Sequence, residues 1–495
     1  MDHAAFDWVA GNELRDLLDE QVRIGTRSTV AKLKFLHGAH TLGNVQRITR
    51  GVEDLINVDL VAMAVPELRK ALDVGVADTN EPLLACIDRH FDPGVSMRIA
   101  ELLAHISLLR SFIATYQRSI DSRFSHLRSA TDLAHYLKSR RRHLNTLFYT
   151  VSDVSRGDIR LSIDELYFLV FDTIERSFVS GLTSLHNKQT MLAVFPDYGC
   201  QRLGDGLMDR DPRSARLLDD QYLEAERLSI TELETPSEPD DSFDRRKIIS
   251  APELRARLRQ IEVAYAPYEL AERGFGDLRR FAEEVMAFAK DDYYLRIAND
   301  AFMDIAQRYP HSPWMSSVLY RPDPHYPLHG SEAAFAEHAG IFYSDLMMFM
   351  RFAYRIRDRL LEQNQRYRIK SGFIFESTLL DQLTVLGFED QKIKRIDHRE
   401  FDVVVRRDDV IYNFQCKNVR LDHSLMETNL PQFVRNNKRI VRYFQRALVK
   451  ERQREALLMR ETGAQIIEHY VVSRFPVFTD DQRILSLRDV PEFFS

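Results

Sequence analysis

Cysteine is scarce in this sequence. The 495 residues include three cysteines, Cys86, Cys200 and Cys416, which lie far apart and form no CxxC pair. An odd number of distant cysteines excludes a disulfide framework, and the missing CxxC pair excludes a four-cysteine zinc site. We therefore expect a reducing compartment and predict a cytoplasmic protein.

Several common motifs are also missing. The dipeptide Gly-Lys never occurs, so the chain has no P-loop for driving translocation with ATP, and there is no GxSxG nucleophile motif. The first residues, MDHAAFDWVAGNELRD, carry acids where a signal peptide needs a basic stretch and then an apolar one. No apolar run reaches the roughly 20 residues that a bilayer requires. We therefore expect no secretory signal and no membrane contact.

Neither sign of charge dominates the whole chain. Lys and Arg total 68, Asp and Glu total 74, and the formal net charge is -6. This balance excludes a protein that coats nucleic acid along its entire surface, so any site for a polyanion must be local. Residues 1–350 carry a net charge of -12, whereas residues 351–495 carry a net charge of +6. A nucleic-acid site is therefore expected in the C-terminal part.

Long stretches of the chain have the spacing of amphipathic helices. From residue 13 to about residue 185, apolar residues recur in steps of three and four, and Gly and Pro are rare. The clearest stripe comprises Ile99, Leu102, Leu103, Ile106, Leu109 and Phe112. At roughly 150 residues per domain, the length suggests two to four domains. We predict a helical N-terminal domain at 1–232, an acidic linker at 233–248, a second helical region at 249–370 with a Pro-rich loop at 310–330, and a C-terminal module at 371–495.

The apolar period changes from 3.6 to 2 within the C-terminal module. A helix is predicted at 371–386, with Ser371 as its N-cap and Gly387 as its stop. Four further elements follow: strands at 401–405 and 410–416, a helix at 435–461 and a strand at 465–472. The predicted fold class is a multidomain α plus α/β protein, in which a long all-helical N-terminal region precedes an α/β module with a small mixed sheet.

The two predicted strands bring polar residues together. If the hairpin turns through residues 408–409, counting back along the strands places Asp402 opposite Gln415. Lys417 shares this face, because side chains two residues apart in a strand point to the same side, whereas Cys416 points away. A carboxylate, a carboxamide oxygen and an ammonium on one patch suit metal-assisted hydrolysis of a phosphodiester.

The segments around this patch resemble the PD-(D/E)XK restriction-endonuclease-like nucleases. An acid-bearing helix, with FE at 375–376 and GF at 387–388, precedes the segments FDVVV and QCK. Gln415 stands where most members of the family have Glu, and in this respect the segment resembles the Mrr-like branch. The resemblance covers roughly residues 370 to 475. The chain departs from the family pattern in two places, since Phe401 stands where Pro is usual and Gln415 replaces an anionic ligand with a neutral one.

This resemblance implies a restriction-endonuclease-like module and a metal-dependent endonuclease that uses Mg²⁺, with Mn²⁺ as a substitute. It assigns Asp402, Gln415, Glu376 and the main-chain carbonyl of Cys416 to the metal, and Lys417 as the catalytic lysine. DNA is the favoured substrate, and a prokaryotic antiviral defence or restriction role with a helical sensing region is a further implication. Cutting both strands needs two sites, so a homodimer is expected. A regulatory partner would bind the helical region.

A basic stripe on the predicted helix at 435–461 supports a nucleic-acid partner. Between residues 431 and 460 there are nine Lys or Arg residues and two acids. Five of the basic residues step by three or four and share one helix face: Arg435, Arg439, Arg442, Arg446 and Lys450. Such a stripe can follow a phosphate backbone. A second basic stretch, at 351–370, could form another wall of the same groove.

Three alternatives stay open at the level of the sequence. The same fold could act on RNA instead of DNA. The module could also be a degenerate nuclease fold that binds nucleic acid without cutting it, within a regulatory helical protein. Finally, the motif could belong to an ordinary amphipathic hairpin with an exposed lysine. Nothing in residues 1–320 discriminates among sensing, dimerisation, inhibition and partner binding.

Overall fold

The computed structural model divides the chain into two compact units. The described residues are 7–74, 80–116, 128–171, 182, 184–204, 206–211, 213, 243–322, 328, 331–422 and 425–495. The first unit takes its described residues from Met1–Gln189, Gly199–Asp220 and Leu233–Leu360. The second unit takes them from Thr190–Tyr198 and Leu361–Ser495. Residues 233–242 of the predicted acidic linker lie outside the described residues.

Helices make up most of the first unit. Those that lie wholly or mainly in it are α1 (Gly11–Lys34), α2 (Gly38–Ala62), α3 (Pro66–Leu72), α4 (Glu81–His90), α5 (Pro93–Tyr116), α6 (Ala130–Val154), α7 (Ile163–Phe168), α8 (Ser184–Val194), α9 (Ala251–Ala264), α10 (Gly276–Val285), α11 (Asn299–Ala306) and α12 (Leu346–Glu362). The predicted apolar stripe on α5 is buried from Ile99 to Leu109, while the side chain of Phe112 lies outside the described residues. No helix in the described ranges combines the length and apolar character needed to cross a bilayer.

Two small antiparallel sheets also belong to the first unit, so the prediction of an all-helical region is wrong. Their strands are β1 (Trp8–Ala10), β2 (Gly199–Leu203) and β3 (Gly206–Met208) in one sheet, and β4 (Ala289–Lys290), β5 (Tyr294–Ala298), β6 (Ala336–His338) and β7 (Ile341–Asp345) in the other. Strand β1 pairs with β2, which is distant in sequence, so its three residues carry no local strand signal. Strand β7 runs directly into α12, so the strand and the helix share one continuous apolar stretch of the sequence.

The described parts of the predicted domain at 1–232 and of the predicted region at 249–370 lie mostly in the first unit, whereas residues 190–198 and 361–370 belong to the second. Arg246, in the described end of the linker, donates from Nη2 to the Phe91 carbonyl at 2.8 Å. The described part of the Pro-rich loop contains turns and one short 3-10 helix, Met315–Ser317. Trp314 is buried in it and donates from Nε1 to the Gly274 carbonyl at 2.9 Å. This loop therefore belongs to the core of the unit.

Buried charges lie at the centre of the first unit. Glu53, on α2, accepts hydrogen bonds from Arg141 at 2.8 Å and from Arg351. Burial opposes its ionisation, but the two arginines overcome this effect and lower the pKa of Glu53. Nearby, burial raises the pKa of Asp54 to about 6 and that of Asp345 to about 6, against the opposing attraction of Arg98 and Arg351 respectively. This cluster ties α2, α6 and α12 together.

The second unit is built around a five-stranded mixed sheet. Its elements are α13 (Gln365–Val385), β8 (Glu389–Asp390), β9 (Arg395–Ile396), β10 (Arg399–Glu400), β11 (Val403–Arg407), β12 (Val410–Lys417), α14 (Leu425–Thr428), α15 (Leu430–Arg452), α16 (Glu455–Thr462), β13 (Ile466–Ser473), β14 (Ile484–Ser486) and α17 (Val490–Phe494). The sheet order is β14-β13-β12-β11-β8, and β9 and β10 form a separate pair. Strand β12 pairs antiparallel with β11 and parallel with β13. A small mixed sheet in an α/β arrangement was predicted.

Two apolar clusters fix the helices of this unit. Leu379 on α13 and Phe494 on α17 join Phe414 of β12 in one cluster. Leu458 on α16 joins Ile411 of β12 in the other. Helices therefore pack through different side chains of the same strand, and β12 is the central element. This position gives side chains at its C-terminal end a rigid support.

Two helix predictions in this unit need correction. Helix α13 begins at Gln365, not Ser371, because the Asn364 side chain accepts a hydrogen bond from the Tyr367 amide at 3.1 Å and caps the helix earlier. Its end was predicted correctly, since Gly387 follows with a φ of 83° that favours glycine. The predicted helix at 435–461 is two helices, α15 and α16, which are separated by two residues.

Replacing Asp345 by asparagine tests the buried cluster. The Asp345 side chain accepts the Met348 amide at 2.8 Å, and asparagine can keep this bond while removing the charge. The folded protein holds the Asp345 proton more tightly than the unfolded chain, so its contribution to stability falls as pH rises from about 4 through about 6. We expect Asp345→Asn to raise the free energy of unfolding at pH 8 by on the order of 1 to 3 kcal/mol, with much less gain at pH 5.

Urea unfolding at both pH values measures this difference. Asp304→Asn is the matched control, because Asp304 is an exposed carboxylate of the same unit. It should change stability little at either pH. A variant Asp345→Asn that is less stable than the unmodified protein at pH 8 would contradict the raised pKa.

Candidate functional site

The β11–β12 hairpin brings Asp402 and Gln415 together. Arg407 pairs with Val410, and Val403 pairs with Phe414, as the two-residue turn predicts. Asp402 immediately precedes β11 and therefore lies opposite Gln415. Its Oδ2 accepts a hydrogen bond from the Gln415 side-chain amide and another from the Cys416 backbone amide at 2.7 Å. The carboxylate thus links the start of β11 to the C-terminal end of β12.

Lys417 lies beside this pair at the end of β12. Its side chain is half-buried, and Nζ is 5.8 Å from the ring centroid of Tyr443. Burial lowers the pKa of Lys417, while the negative charge of Asp402 opposes the change. Both effects follow from an ammonium group held close to the carboxylate and partly shielded from water. The structure therefore brings together the three residues that the sequence placed on one face.

Glu376 reaches the same site from helix α13. Its side chain is 16% exposed, and its pKa is raised by burial and by repulsion from Asp402. Lys394 donates from Nζ to Glu376 Oε2 at 3.1 Å and to the Asp402 carbonyl at 2.6 Å. The lysine therefore links the two acids. Nothing in the sequence marked Lys394, because it lies outside the motif in the segment between β8 and β9.

The Cys416 side chain points away from the face that carries Gln415 and Lys417, as predicted. It packs against the cluster that contains Phe375 and Phe414. Burial raises the pKa of the Cys416 thiol well above its ordinary value. The thiol is therefore protonated at neutral pH and contributes packing. The backbone amide of Cys416 binds the Asp402 carboxylate.

A buried polar network supports the site from the side of helix α15. The Asn413 side-chain amide lies 3.1 Å from Glu451 Oε2 and 3.1 Å from His469 Nδ1. Arg454 donates to the other Glu451 oxygen at 3.1 Å. Asn413, Glu451 and His469 are each almost fully buried. Their satisfied hydrogen bonds fix α15 against β12 and β13, next to the chain segment that carries Gln415 and Lys417.

The predicted basic stripe lies on the exposed face of α15. Ile440, Phe444 and Leu448 are buried, whereas the five residues of the stripe are exposed. Six basic residues line an open groove of about 690 Å³ along this face: Arg420, Arg435, Lys438, Arg439, Arg442 and Arg446. Among the described residues, no carboxylate lies within ion-pair distance of the five that belong to α15. The groove also includes Tyr443, whose ring lies beside Lys417. The groove therefore extends to the lysine next to Asp402 and Gln415.

In the second predicted basic wall, at 351–370, the arginines of helix α12 are paired with acids of the first unit. Arg351 pairs with buried Glu53, and Arg355 pairs with Glu332. Arg357 is buried and pairs with Asp358 at 2.8 Å. These guanidinium groups are engaged inside the first unit because α12 is a core helix there. The arginines of α12 therefore have a structural role, which is to neutralise acids of the first unit.

A different group of potential metal ligands lies in the first unit. One ligand atom each from Glu67, Cys86 and His90 fall within 4.8 Å of one another. Arg89 already binds the Glu67 carboxylate. A thiol and an imidazole suit zinc better than magnesium. This group is therefore separate from the oxygen-rich site around Asp402.

Comparison with known proteins does not supply a family. No protein-family model matches the chain, and no curated protein or solved structure matches it either. The likeness to PD-(D/E)XK nucleases is therefore carried by the motif residues alone. A function for the chain has to be argued from the chemistry of its sites.

Proposed function

We propose that the second unit is a metal-dependent nuclease that hydrolyses phosphodiester bonds, with DNA as the favoured substrate. The observation that carries this proposal is the convergence of Glu376, Asp402, Gln415 and Lys417 beside a groove lined by basic residues. Two acids, an amide and a lysine provide the groups for hydrolysis. The groove provides the positive charge that a phosphate backbone requires.

The donor set at this site fits a hard divalent cation. Glu376 and Asp402 offer carboxylate oxygens, and half a turn of the Gln415 amide would present Oε1 in place of Nε2. Oxygen donors suit Mg²⁺ and Mn²⁺. A bound cation would stabilise the negative charge that develops on the phosphate during hydrolysis. The family resemblance adds the Cys416 main-chain carbonyl as a further ligand.

Lys417 is the residue best placed to act on the attacking water. Burial lowers the pKa of Lys417, so its amine loses a proton more readily than an exposed lysine does. The neutral amine can accept a proton from water, and the charged form can donate a hydrogen bond to a phosphate oxygen. The exposed arginines of α15 would hold the backbone of the substrate.

Cleavage assays on the full chain test the proposal. Duplex DNA, single-stranded DNA and structured RNA are incubated with the protein and Mg²⁺, and the products are separated on denaturing gels. We expect cleavage of DNA. Cleavage of RNA alone would show that the module is an RNA-directed nuclease.

Lys417→Gln should lower the cleavage rate by about 100-fold or more, the usual range for loss of a general acid or base. Binding of the same substrate should change little. Lys392→Gln is the matched control, because Lys392 is an exposed lysine of the same unit outside the site. If the unmodified protein and Lys417→Gln bind DNA equally and neither cleaves it, the module is a binding module.

Gln415→Glu tests the metal ligands without a substrate. In the absence of metal, the new carboxylate would repel Asp402 and replace a hydrogen-bond donor, so we expect a lower melting temperature, by on the order of 2–4 °C for each kcal/mol lost. Adding Mn²⁺ should raise the melting temperature more in this variant than in the unmodified protein, because a third anionic oxygen strengthens binding. Gln445→Glu, an exposed position on α15, should show neither effect. Equal responses of both variants to Mn²⁺ would count against a cation at Gln415.

The salt dependence of DNA binding tests the groove. Removing two phosphate contacts with the double variant Arg439→Gln and Arg442→Gln should reduce the slope of log affinity against log salt by about two. The affinity at low salt should fall by at least tenfold. Arg452→Gln is the control, since Arg452 is an exposed residue of the same helix that does not line the groove. An unchanged slope in the double variant would remove the groove from the binding surface.

A further inference from the structure

The first unit contains a pocket that has no role in the proposed nuclease. It encloses about 690 Å³ and is lined by residues from α2, α5, the segment at 247–250, and strands β4 and β5 with their connection. This volume lies in the range of pockets that bind small molecules. Asp292 accepts the Ala251 amide at 3.1 Å and so joins the β4–β5 connection to the start of α9. The walls are therefore held by regular structure.

The pocket is basic although the N-terminal part of the chain is acidic. Its lining includes six cations and four carboxylates, a net charge of +2. Two of the cations are neutralised within the lining, because Arg47 pairs with Glu101 at 2.8 Å and Lys247 pairs with Asp292 at 3.5 Å. A third, Arg98, pairs with buried Asp54 at 2.5 Å.

Three cations of the lining have no acidic partner among the residues that the structure describes. Within the described ranges, no carboxylate lies within ion-pair distance of Arg50, Lys290 or Arg296. These residues come from α2, the end of β4 and β5 respectively. They therefore approach the pocket from different elements. A multiply charged anion could contact all three from within the cavity.

Arg50 is held in place by aromatic rings. Its guanidinium carbon lies 4.4 Å from the ring centroid of Tyr293 and 5.2 Å from that of Tyr294. Such stacking limits the freedom of the side chain, which lowers the entropy lost when it binds a ligand. Its Nε is buried and has no hydrogen-bond partner among the described residues.

Arg296 depends on a glycine for its position. A Cβ atom added at Gly43 would lie 2.9 Å from Nη2 of Arg296, so a larger residue there would displace the guanidinium group. Arg296 also lies near Tyr343, with 5.9 Å between its guanidinium carbon and the ring centroid. Like Arg50, it has a buried Nε without a hydrogen-bond partner in the described part of the chain. Two guanidinium groups and a lysine without ion-pair partners in the described ranges favour a phosphate, which carries more negative charge than a carboxylate.

We propose that this pocket binds a small phosphorylated molecule of nucleotide size. Its phosphates contact Arg50, Lys290 and Arg296, and the rest of the molecule lies against the apolar surface of Val95, Met97 and Ile248. The cations line a concave pocket rather than an extended track, which suits a compact ligand better than a nucleic-acid strand. This inference is independent of the nuclease proposal.

Binding to the full chain tests the inference directly. Isothermal titration calorimetry with inorganic pyrophosphate, AMP and ATP should detect binding of at least one probe. We expect Lys290→Gln and Arg296→Gln each to weaken that binding by about tenfold or more. Gly43→Ala should also weaken it, because it moves Arg296 without removing a charge. Lys70→Gln, an exposed position on α3, should bind the probe like the unmodified protein.

Three results would overturn the inference. One is the absence of binding for all three probes at millimolar concentration. Another is unchanged binding in both Lys290→Gln and Arg296→Gln, with circular dichroism showing that the variants are folded. The third is displacement of the probe by a single-stranded oligonucleotide that loses affinity in the same two variants, which would make the pocket part of a nucleic-acid surface. None of these measurements depends on cleavage.

Discussion

The register of the β11–β12 hairpin is the constraint on which the candidate site depends. Two residues, Asp408 and Asp409, connect the strands, and Asp408 adopts a φ of 55° that few residue types tolerate. Because side chains alternate between the two faces of a strand, a shift by one residue would turn Gln415 and Lys417 into the core that Phe414 occupies. Parallel pairing of β12 with β13 fixes the same register from the other side. The site is thus defined by the sheet before any ligand binds.

The sequence was sufficient to predict what depends on local pattern. The alternation of apolar residues predicted the hairpin, its turn and the shared face of Gln415 and Lys417. Contacts between distant segments left no such pattern. Lys394 meets Glu376 only because β8 lies beside β11, and the three residues of β1 become a strand only because Gly199–Leu203 lies next to them. The start of α13 was misplaced because Asn and Ser are both favoured N-cap residues, and in the structure it is the Asn364 side chain that caps the helix.

Two basic segments of similar composition have different environments. The arginines of α15 lie on an exposed face, opposite the buried Phe444, and their charges line a groove. Those of α12 face a core that contains Glu53, and their charges are neutralised there. Helical spacing was similar in both cases. The difference is that other elements supply acidic partners to the arginines of α12, and these partners cannot be identified before the fold is known.

Asp402 has a structural role that does not depend on the proposed chemistry. Asp402 lies one residue before β11 begins. Its side chain accepts the hydrogen bond from the Cys416 amide, in the place of a backbone carbonyl of the strand. Loss of this carboxylate would leave a backbone donor unpaired as well as removing a candidate ligand. A homologous chain without catalytic activity would therefore still be under selection to keep this aspartate, so the aspartate alone would be a poor indicator of the proposed activity.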